Sequence, residues 1–513
     1  MQKRRWGGSG DWRQDGQEGG ACETGRPVRA KTEFMRVAPK NRRTGVRASV
    51  VARKRSKDRG AKGTQGGEYV KKRPAEEPPS TVPETATLGG EVRARWGWTE
   101  PSVWTERMLT TLEKGVKGGK WYSLIDKVYA RANLKAAAEK VIANRGGGGI
   151  DHQKVEVFSD RKAEEVERLA KELATGSYQP REILRQYIPK PGSREKRPLG
   201  IPTLRDRTTQ GALRNVLEPI FERDFAEHSY GFRPGRGCRD ALRRVDALLR
   251  AGHRYVVDVD LKSYFDTIPH EGLLQQVEAK VSDGRVLDLI ESYLKQRVLE
   301  GMTAWTPEAG TPQGAVISPL LSNIYLDPLD HLMEEQGYEM TRYADDAVIQ
   351  CESLEEAETA LSTVREWTAR AGLQLHPEKT KIVNAAQAGG FDFLGYHFER
   401  GKKWPRRKSL KKLREILRQG TKRNNGHSLA AIIARLNPQL RGWFGYFKHS
   451  NRHTFQDVDG WVRGRLRSIL RRRFRKRGRG RGRDHQRWPN AFFAAQGLYS
   501  LEAAYRAVCQ PPK

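Results

Sequence analysis

Two adjacent carboxylates set among apolar and β-forming residues are expensive to bury, and this chain carries such a pair in Tyr343-Ala344-Asp345-Asp346-Ala347-Val348. Like charges at that spacing repel, and desolvation adds several kcal/mol unless a cation cancels the charge. Tyr343, Val348 and Ile349 around the pair argue against a freely exposed acidic tip. A tight hairpin that offers both side chains to a cation reconciles the two facts. A second acidic site lies upstream, where the β-branched run Val256-Val257-Asp258-Val259-Asp260 predicts a buried strand ending on a carboxylate.

Nucleotidyl transfer requires a set of this kind. Two divalent cations about 3.5 to 4 Å apart activate an attacking 3′-hydroxyl and steady the leaving pyrophosphate. Magnesium takes hard oxygen donors and needs only a few carboxylates beside the substrate phosphates. Asp260, Asp345 and Asp346 are therefore the candidate catalytic and metal-binding residues. Asp258 projects to the same face of its strand as Asp260 and is read as support.

Charge identifies the class of partner. Lys and Arg number 95 against 62 Asp and Glu, a formal net charge of +33 over 513 residues, with a pI near 10.1 and a mean hydropathy of -0.77. Such an excess predicts a nucleic-acid backbone as partner, because each neutralised phosphate releases condensed counterions. No apolar stretch approaches the eighteen or so residues of a membrane span, so no membrane partner is expected. The basic N-terminus lacks the apolar core of a secretory signal. Cys22, Cys238, Cys351 and Cys509 form no close pair, which argues against a zinc ribbon or a disulfide framework.

Three regions follow from the pattern. Residues 1–95 are rich in Gly, Arg, Lys and Pro with no sustained periodicity, and are expected to be a disordered basic extension. Residues 96–400 alternate helical and strand signals, which predicts a mixed α/β domain. Its helices include one in which Ala163, Val166, Leu169, Ala170 and Leu173 share a face, ended by Gly176. Residues 401–513 predict an all-helical, very basic domain with three apolar stripes: Leu410, Leu413 and Leu417; Leu429 to Leu436, stopping at Pro438; and Leu440, Trp443, Phe444 and Phe447. The run Arg471-Arg472-Arg473-Phe474-Arg475-Lys476-Arg477 is the densest positive segment and a candidate RNA contact.

Tyr343-Ala344-Asp345-Asp346 resembles the palm motif of reverse transcriptases, and further blocks appear in that family's order. Asp260-Leu261-Lys262-Ser263-Tyr264-Phe265-Asp266 resembles the first palm motif. The match implies that Asp260 and the Leu261 carbonyl bind metal and that Phe265, rather than neighbouring Tyr264, excludes a ribose 2′-hydroxyl. Gly310-Thr311-Pro312-Gln313-Gly314 is similar to the loop that contacts template and incoming nucleotide, which implies nucleotide contacts at Gln313 and Gly314. The segments Tyr187 to Pro191 and Lys196 to Pro202 resemble the fingers elements that close on a triphosphate, with Lys190 and Arg197 implied as its cradle. Leu375 to Lys381 and Phe391 to Tyr396 match the last two palm blocks, placing Lys379 near substrate and a primer grip at the second.

Two features are similar to the group II intron branch of the family. Ser229 to Cys238 resembles its second block, which implies that Phe232 and Arg233 line the template path. Asn437 to Phe447 and Trp461 to Arg467 resemble its maturase domain, a helical thumb that binds intron RNA, with Arg441, Trp443 and Arg471, Arg472 and Arg473 as implied contacts. The Gly-rich segment 144–151 resembles the N-terminal extension of this group, about 120–160 here. The resemblance implies a right-hand polymerase fold: α/β fingers and palm, with a mixed or antiparallel palm sheet, then an all-helical thumb. It further implies two Mg²⁺ ions, with Mn²⁺ able to substitute; intron RNA as template and splicing substrate; a DNA primer or target; deoxynucleoside triphosphates; and a bacterial, nucleoid-associated place in the cytoplasm. No His-Asn-His pattern or paired cysteines follow, so an endonuclease domain is not expected. A retron-type or defence-type reverse transcriptase, and an RNA-binding splicing cofactor without polymerase activity, remain as alternatives.

Overall fold

Every element of the computed structural model described below lies in the unit spanning 77–513. Described residues are 94–189, 196–476, 478, 480 and 482–509. The expected extension over 1–95 therefore lies almost wholly outside them, as does Lys190.

Alternation along a strand sends successive side chains to opposite faces, and the central sheet shows what that does here. Its four strands run in the order β6-β7-β3-β8, with β3 at Tyr255–Asp260, β6 at Glu339–Tyr343, β7 at Asp346–Cys351 and β8 at Lys381–Asn384. All pairings are antiparallel. Val257, Val259, Ala347 and Ile349 pack against helices Ser318–Glu335 and Leu354–Arg370 through Leu329, Met333, Ala357 and Val364. Val256 and Val348 take the other face, against Ala241 and Val245 of helix Cys238–Ala251 and a cluster of Phe391, Phe393, Tyr396 and Phe398. The same parity places Asp258, Asp260 and Asp346 on this second face.

Two smaller sheets flank the centre. One has the order β2-β1-β4-β5, from Ile183–Pro189 (β1), Lys196–Ile201 (β2), Val298–Glu300 (β4) and Thr303–Trp305 (β5); β1 and β2 pair antiparallel, β1 and β4 parallel. The other, of order β11-β10-β9, comprises Phe391–Phe393 (β9), Tyr396–Glu399 (β10) and Lys402–Pro405 (β11). In the helical region ahead of β1, helix Lys162–Thr175 buries Val166, Leu169, Ala170 and Leu173, and Gly176 ends it in the left-handed conformation. Ala163, expected on that face, is exposed in the first turn.

The C-terminal region is helical, with Arg407–Gly420, Leu429–Phe447 and Arg452–Arg473 sharing a core of Leu417, Ile433, Leu436, Leu440, Phe444, Phe455, Val462 and Leu466. One expectation is corrected here: Pro438 does not end a helix but sits inside Leu429–Phe447. An interior proline costs about 3 kcal/mol. The apolar face continuing through Leu440, Phe444 and Phe447 outweighs it, since each buried side chain contributes about 1.5 to 3 kcal/mol. Adjacent Asn437 fixes the helix further, donating to the Gly497 carbonyl (2.8 Å) and accepting from the Tyr499 amide (2.9 Å).

Candidate active site

Register brings the acidic residues together. In the β3–β7 ladder Asp260 stands directly opposite Asp346, a spacing of about 4.5 to 5.5 Å between Cα atoms. Tyr343 and Asp346 close the β6–β7 hairpin, leaving Ala344 and Asp345 as a two-residue turn. Ala344 has φ 59°, the positive value a hairpin turn of this length demands. Alanine pays strain for that conformation, so neighbouring groups must hold it.

They do so from two sides. Arg342 is buried and forks onto Asp330, with Nε donating to Oδ1 (2.7 Å) and Oδ2 (3.0 Å). Its Nη1 donates to the Ala344 carbonyl (2.9 Å) and to Asn323 Oδ1 (3.0 Å). Asn323 in turn donates to the Gly231 carbonyl (2.8 Å). Gly231 lies so close beneath the turn that a Cβ there would meet the Ala344 nitrogen at 2.2 Å, so only glycine fits. Sequence reasoning missed this bracket. Arg342 adjoins Tyr343, yet nothing local distinguishes it from a surface cation, and its partner Asp330 sits on a separate helix.

Electrostatics follow from the packing. Burial, then Asp258, Asp345 and Asp260, push the Asp346 carboxyl up to about 7, against the opposing pull of Arg406. Burial first, with Asp260 also contributing, pushes Asp258 up to about 6, against Lys381. Asp345, more exposed at the tip of the turn, is raised mainly by burial of the cleft and lowered by Arg197 and Arg342. Asp260 is engaged by Lys379, whose Nζ reaches its two oxygens at 3.1 and 3.3 Å. Arg406, which adjoins β11, is a second residue the sequence did not reveal. Its charge opposes the raised Asp346, and its Nε is buried without a hydrogen-bond partner among the described residues.

Among the described residues no three acidic, His or Cys side chains converge at metal-holding distances. Lys379 supplies the counter-charge to Asp260 in this arrangement. Chemically the cleft nevertheless fits divalent cations. Its donors are hard carboxylate oxygens, and Asp346, Asp258 and Asp345 are raised first by burial and then by like-charged neighbours, both of which a cation would offset. The Leu261 carbonyl is also available to such an ion, since the bridge to Leu375 bonds through the Lys262 amide (2.8 Å) and the Asp260 carbonyl (2.7 Å) instead.

The other candidates divide. Phe265 is half-buried and lines a cavity of about 520 Å³ with Arg185, Asp266, Trp305 and Gln313. Tyr264 is a core residue, its hydroxyl donating to the Ser322 carbonyl (2.6 Å). Gln313 donates to Asp266 (3.2 Å), and its carbonyl receives the Gly200 amide (2.7 Å). Gly314 has φ 111°, and a Cβ there would meet the Gly200 carbonyl at 2.5 Å. This loop is thus pinned to β2, the strand bearing exposed Arg197. Phe232 is exposed, with its ring edge-on to Phe265 at 6.4 Å.

Three expected nucleic-acid contacts need correction. Arg233 does not face a template: its side chain is 2% exposed and bound to Glu222 (2.8 Å), and it donates to the Ser229 carbonyl (2.9 Å) as well. Trp443 is no stacking platform, for it is partly buried between Phe447 and Phe455 at 4.9 and 6.2 Å. Arg471 is half-buried and paired with Asp484 (2.5 Å). Arg441, stacked over Tyr499 at 4.8 Å, stays exposed, as do Arg472 and Arg473.

Residues 188–398 match the model of the reverse transcriptase (RNA-dependent DNA polymerase) family, and 410–488 match the maturase-specific domain of group II introns. Protein YkfC of Escherichia coli is 36% identical over 249 residues, 47% of this chain and 61% of that protein. The group II intron-encoded protein LtrA of Lactococcus lactis is 38% identical over 196 residues, 38% of this chain and 32% of LtrA. An uncharacterised 91 kDa protein in the cob intron of Schizosaccharomyces pombe is 42% identical over 139 residues, 27% of this chain and 17% of that protein. The chain thus spans less than two thirds of the length of these relatives. Divalent metal ions serve catalysis in the reverse transcriptase family generally. The two models are matched in order along the chain, so it carries a reverse transcriptase domain followed by a group II intron maturase domain.

Proposed function

We propose that the chain is an RNA-directed DNA polymerase of a group II intron, which copies intron RNA into DNA and assists its splicing as a maturase. The register of Asp260 against Asp346, with Asp345 at the adjoining turn, carries this reading. Asp260, Asp345 and Asp346, with the Leu261 carbonyl, would hold two Mg²⁺ ions, for which Mn²⁺ could substitute. When bound, such ions lower the pKa of a primer 3′-hydroxyl and stabilise the departing pyrophosphate.

The protein's own groups supply position and charge. Arg197, on β2 beside the acidic turn, offers a planar fork to a triphosphate, and Lys190 is proposed as its companion. Gln313 and Gly314 press the nucleotide-facing loop against β2. Phe265, half-buried in the lining of the cavity of about 520 Å³, is proposed to discriminate against a ribose 2′-hydroxyl by steric exclusion. Lys379 neutralises Asp260 and is proposed to turn toward substrate phosphate. Phe232 extends this aromatic surface toward the template. Helix Leu429–Phe447 buries one face and leaves Arg441 outside; together with Arg472 and Arg473 this supports a contact with intron RNA.

Primer extension by the purified full-length chain on an RNA template tests the reading. Extension that depends on Mg²⁺ and is abolished by Asp345→Ala, with RNA affinity retained, supports it. Wild-type activity in Asp345→Ala would remove the site assignment.

A further inference from the structure

Phe265 stands on a turn too short to hold itself. Helical segment Tyr264–Thr267 spans four residues, starts from Ser263 at φ 51° and has no side-chain cap; a single helical turn is unstable in isolation. The loop opposite fixes it. The Thr311 amide donates to the Phe265 carbonyl (2.7 Å) and the Gly310 amide to the Ile268 carbonyl (2.8 Å), while Pro269 bridges Ala309. Gly310 permits this approach: its φ is 93°, and a Cβ there would meet the Asp266 backbone at 2.8 Å.

Two side chains fasten the loop to the turn. His270, the first residue of helix His270–Glu278, is 8% exposed, and its Nε2 lies 2.8 Å from the Gly310 carbonyl. A carbonyl only accepts, so Nε2 carries the proton. Gln313 makes the second fastening by donating to exposed Asp266 (3.2 Å). Phe265, Gly310, Thr311 and Gln313 all line the cavity of about 520 Å³, so the clamped turn and loop present their residues to one space. A ring that rejects a single hydroxyl by contact must be held closely, since a displacement of about 1 Å can change a rate by roughly 10²-fold.

We propose that segment 309–313 is a clasp for Phe265, and that His270, through the Gly310 carbonyl, is a positioning residue for the choice between deoxyribose and ribose. The proposal rests on the reading of the chain as a DNA polymerase in which Phe265 faces the sugar. His270 acts on that sugar only through the loop backbone.

The test measures kcat/KM for a deoxynucleotide and for the matching ribonucleotide, with the full-length chain on a primed RNA template. His270→Leu keeps an apolar side chain in place and removes the donor; the deoxy-to-ribo ratio should fall about five- to ten-fold, the equivalent of one hydrogen bond. His270→Gln supplies a donor again and should restore the ratio. In Phe265→Ala, adding His270→Leu should lower the ratio no further, because residues that act through one contact are not additive. A purely structural histidine would slow both substrates alike. An unchanged ratio in folded His270→Leu therefore overturns the proposal, as does an additive loss in the Phe265→Ala background. Should His270→Leu not fold, Asp266→Ala decides: it opens the second fastening at an exposed position and should lower the ratio too, and an unchanged ratio overturns the clasp. Hydrogen exchange of the 309–314 amides, read by mass spectrometry without substrate, should be faster in His270→Leu and return to the wild-type rate in His270→Gln. A set of variants that shows this contrast, from a wild-type protein that extends no primer, leaves the clasp standing and sinks the polymerase reading instead.

Discussion

Arg342 couples stability to the geometry of the acidic turn, and the two contributions can be separated by mutation. Its side chain is 2% exposed and that of Asp330 is 3% exposed. Arg342→Met therefore strands a buried carboxylate, at a cost of about 3 to 5 kcal/mol. Against a typical total of about 5 to 15 kcal/mol, the single variant should be marginally folded in urea titrations followed by tryptophan fluorescence. Replacing both partners, as Arg342→Met/Asp330→Leu, removes the stranded charge and should recover most of that loss. What it does not restore is the donor to the Ala344 carbonyl, so the turn bearing Asp345 stays unheld. Misplacement of a catalytic group by about 1 Å can cost roughly 10²-fold in rate. The double variant should therefore approach wild-type stability while extending primers about a hundred-fold more slowly under single-turnover conditions. A double variant with wild-type rate would refute the bracket, and so would a loss of less than about 1 kcal/mol in Arg342→Met.

The raised carboxyl of Asp346 makes a pH prediction for metal-free protein. Folding holds it near 7 instead of 3.8, so the protonated form is favoured, and ionisation costs stability that grows from about pH 4 to pH 7 and is constant above. At roughly 1.4 kcal/mol per pH unit the full difference is about 4 kcal/mol, reduced to about 2 by partial exposure and shared titration with Asp258. In EDTA at pH 8, Asp346→Asn should unfold at higher temperature than wild type, and at pH 4 the two should coincide; equal melting at pH 8 would contradict the burial argument. Phe265→Ala should admit ribonucleotides, read as ribonucleotide incorporation rising relative to deoxynucleotide at similar stability. Unchanged discrimination would remove Phe265 from the sugar-facing position.

Much of the site could be read from the chain because the relevant signals are local. Asp260 ends a β-branched run, and strand parity alone places Asp258 with it; Asp345 and Asp346 sit in a hairpin whose flanks declare the turn. The supporting shell could not be read this way. Asp330, Asn323 and Gly231 act on the turn only because helix Ser318–Glu335 and the segment before helix Cys238–Ala251 pack beneath it, a tertiary fact with no periodic trace. Arg233 shows the converse. It follows Phe232 directly, yet Phe232 has φ 61° and is exposed while Arg233 turns inward onto Glu222, so adjacency in a motif did not predict a shared direction. Pro438 was misleading for a thermodynamic reason, since local propensity of about 3 kcal/mol is outweighed when an apolar face continues on both sides. The resemblance to the maturase domain implies RNA contacts at Trp443 and Arg471, whereas packing against Phe447 and pairing with Asp484 engage them internally.

Stoichiometric binding of Mn²⁺, followed by electron paramagnetic resonance on the protein with a chain-terminated primer, template and incoming triphosphate, addresses the shared acidic centre without relying on turnover. Two ions should bind per chain in wild type, and both should be weakened in Asp260→Asn and in Asp345→Asn, two residues that only the fold makes neighbours. Wild-type occupancy in either variant would mean that the carboxylates do not form one metal centre.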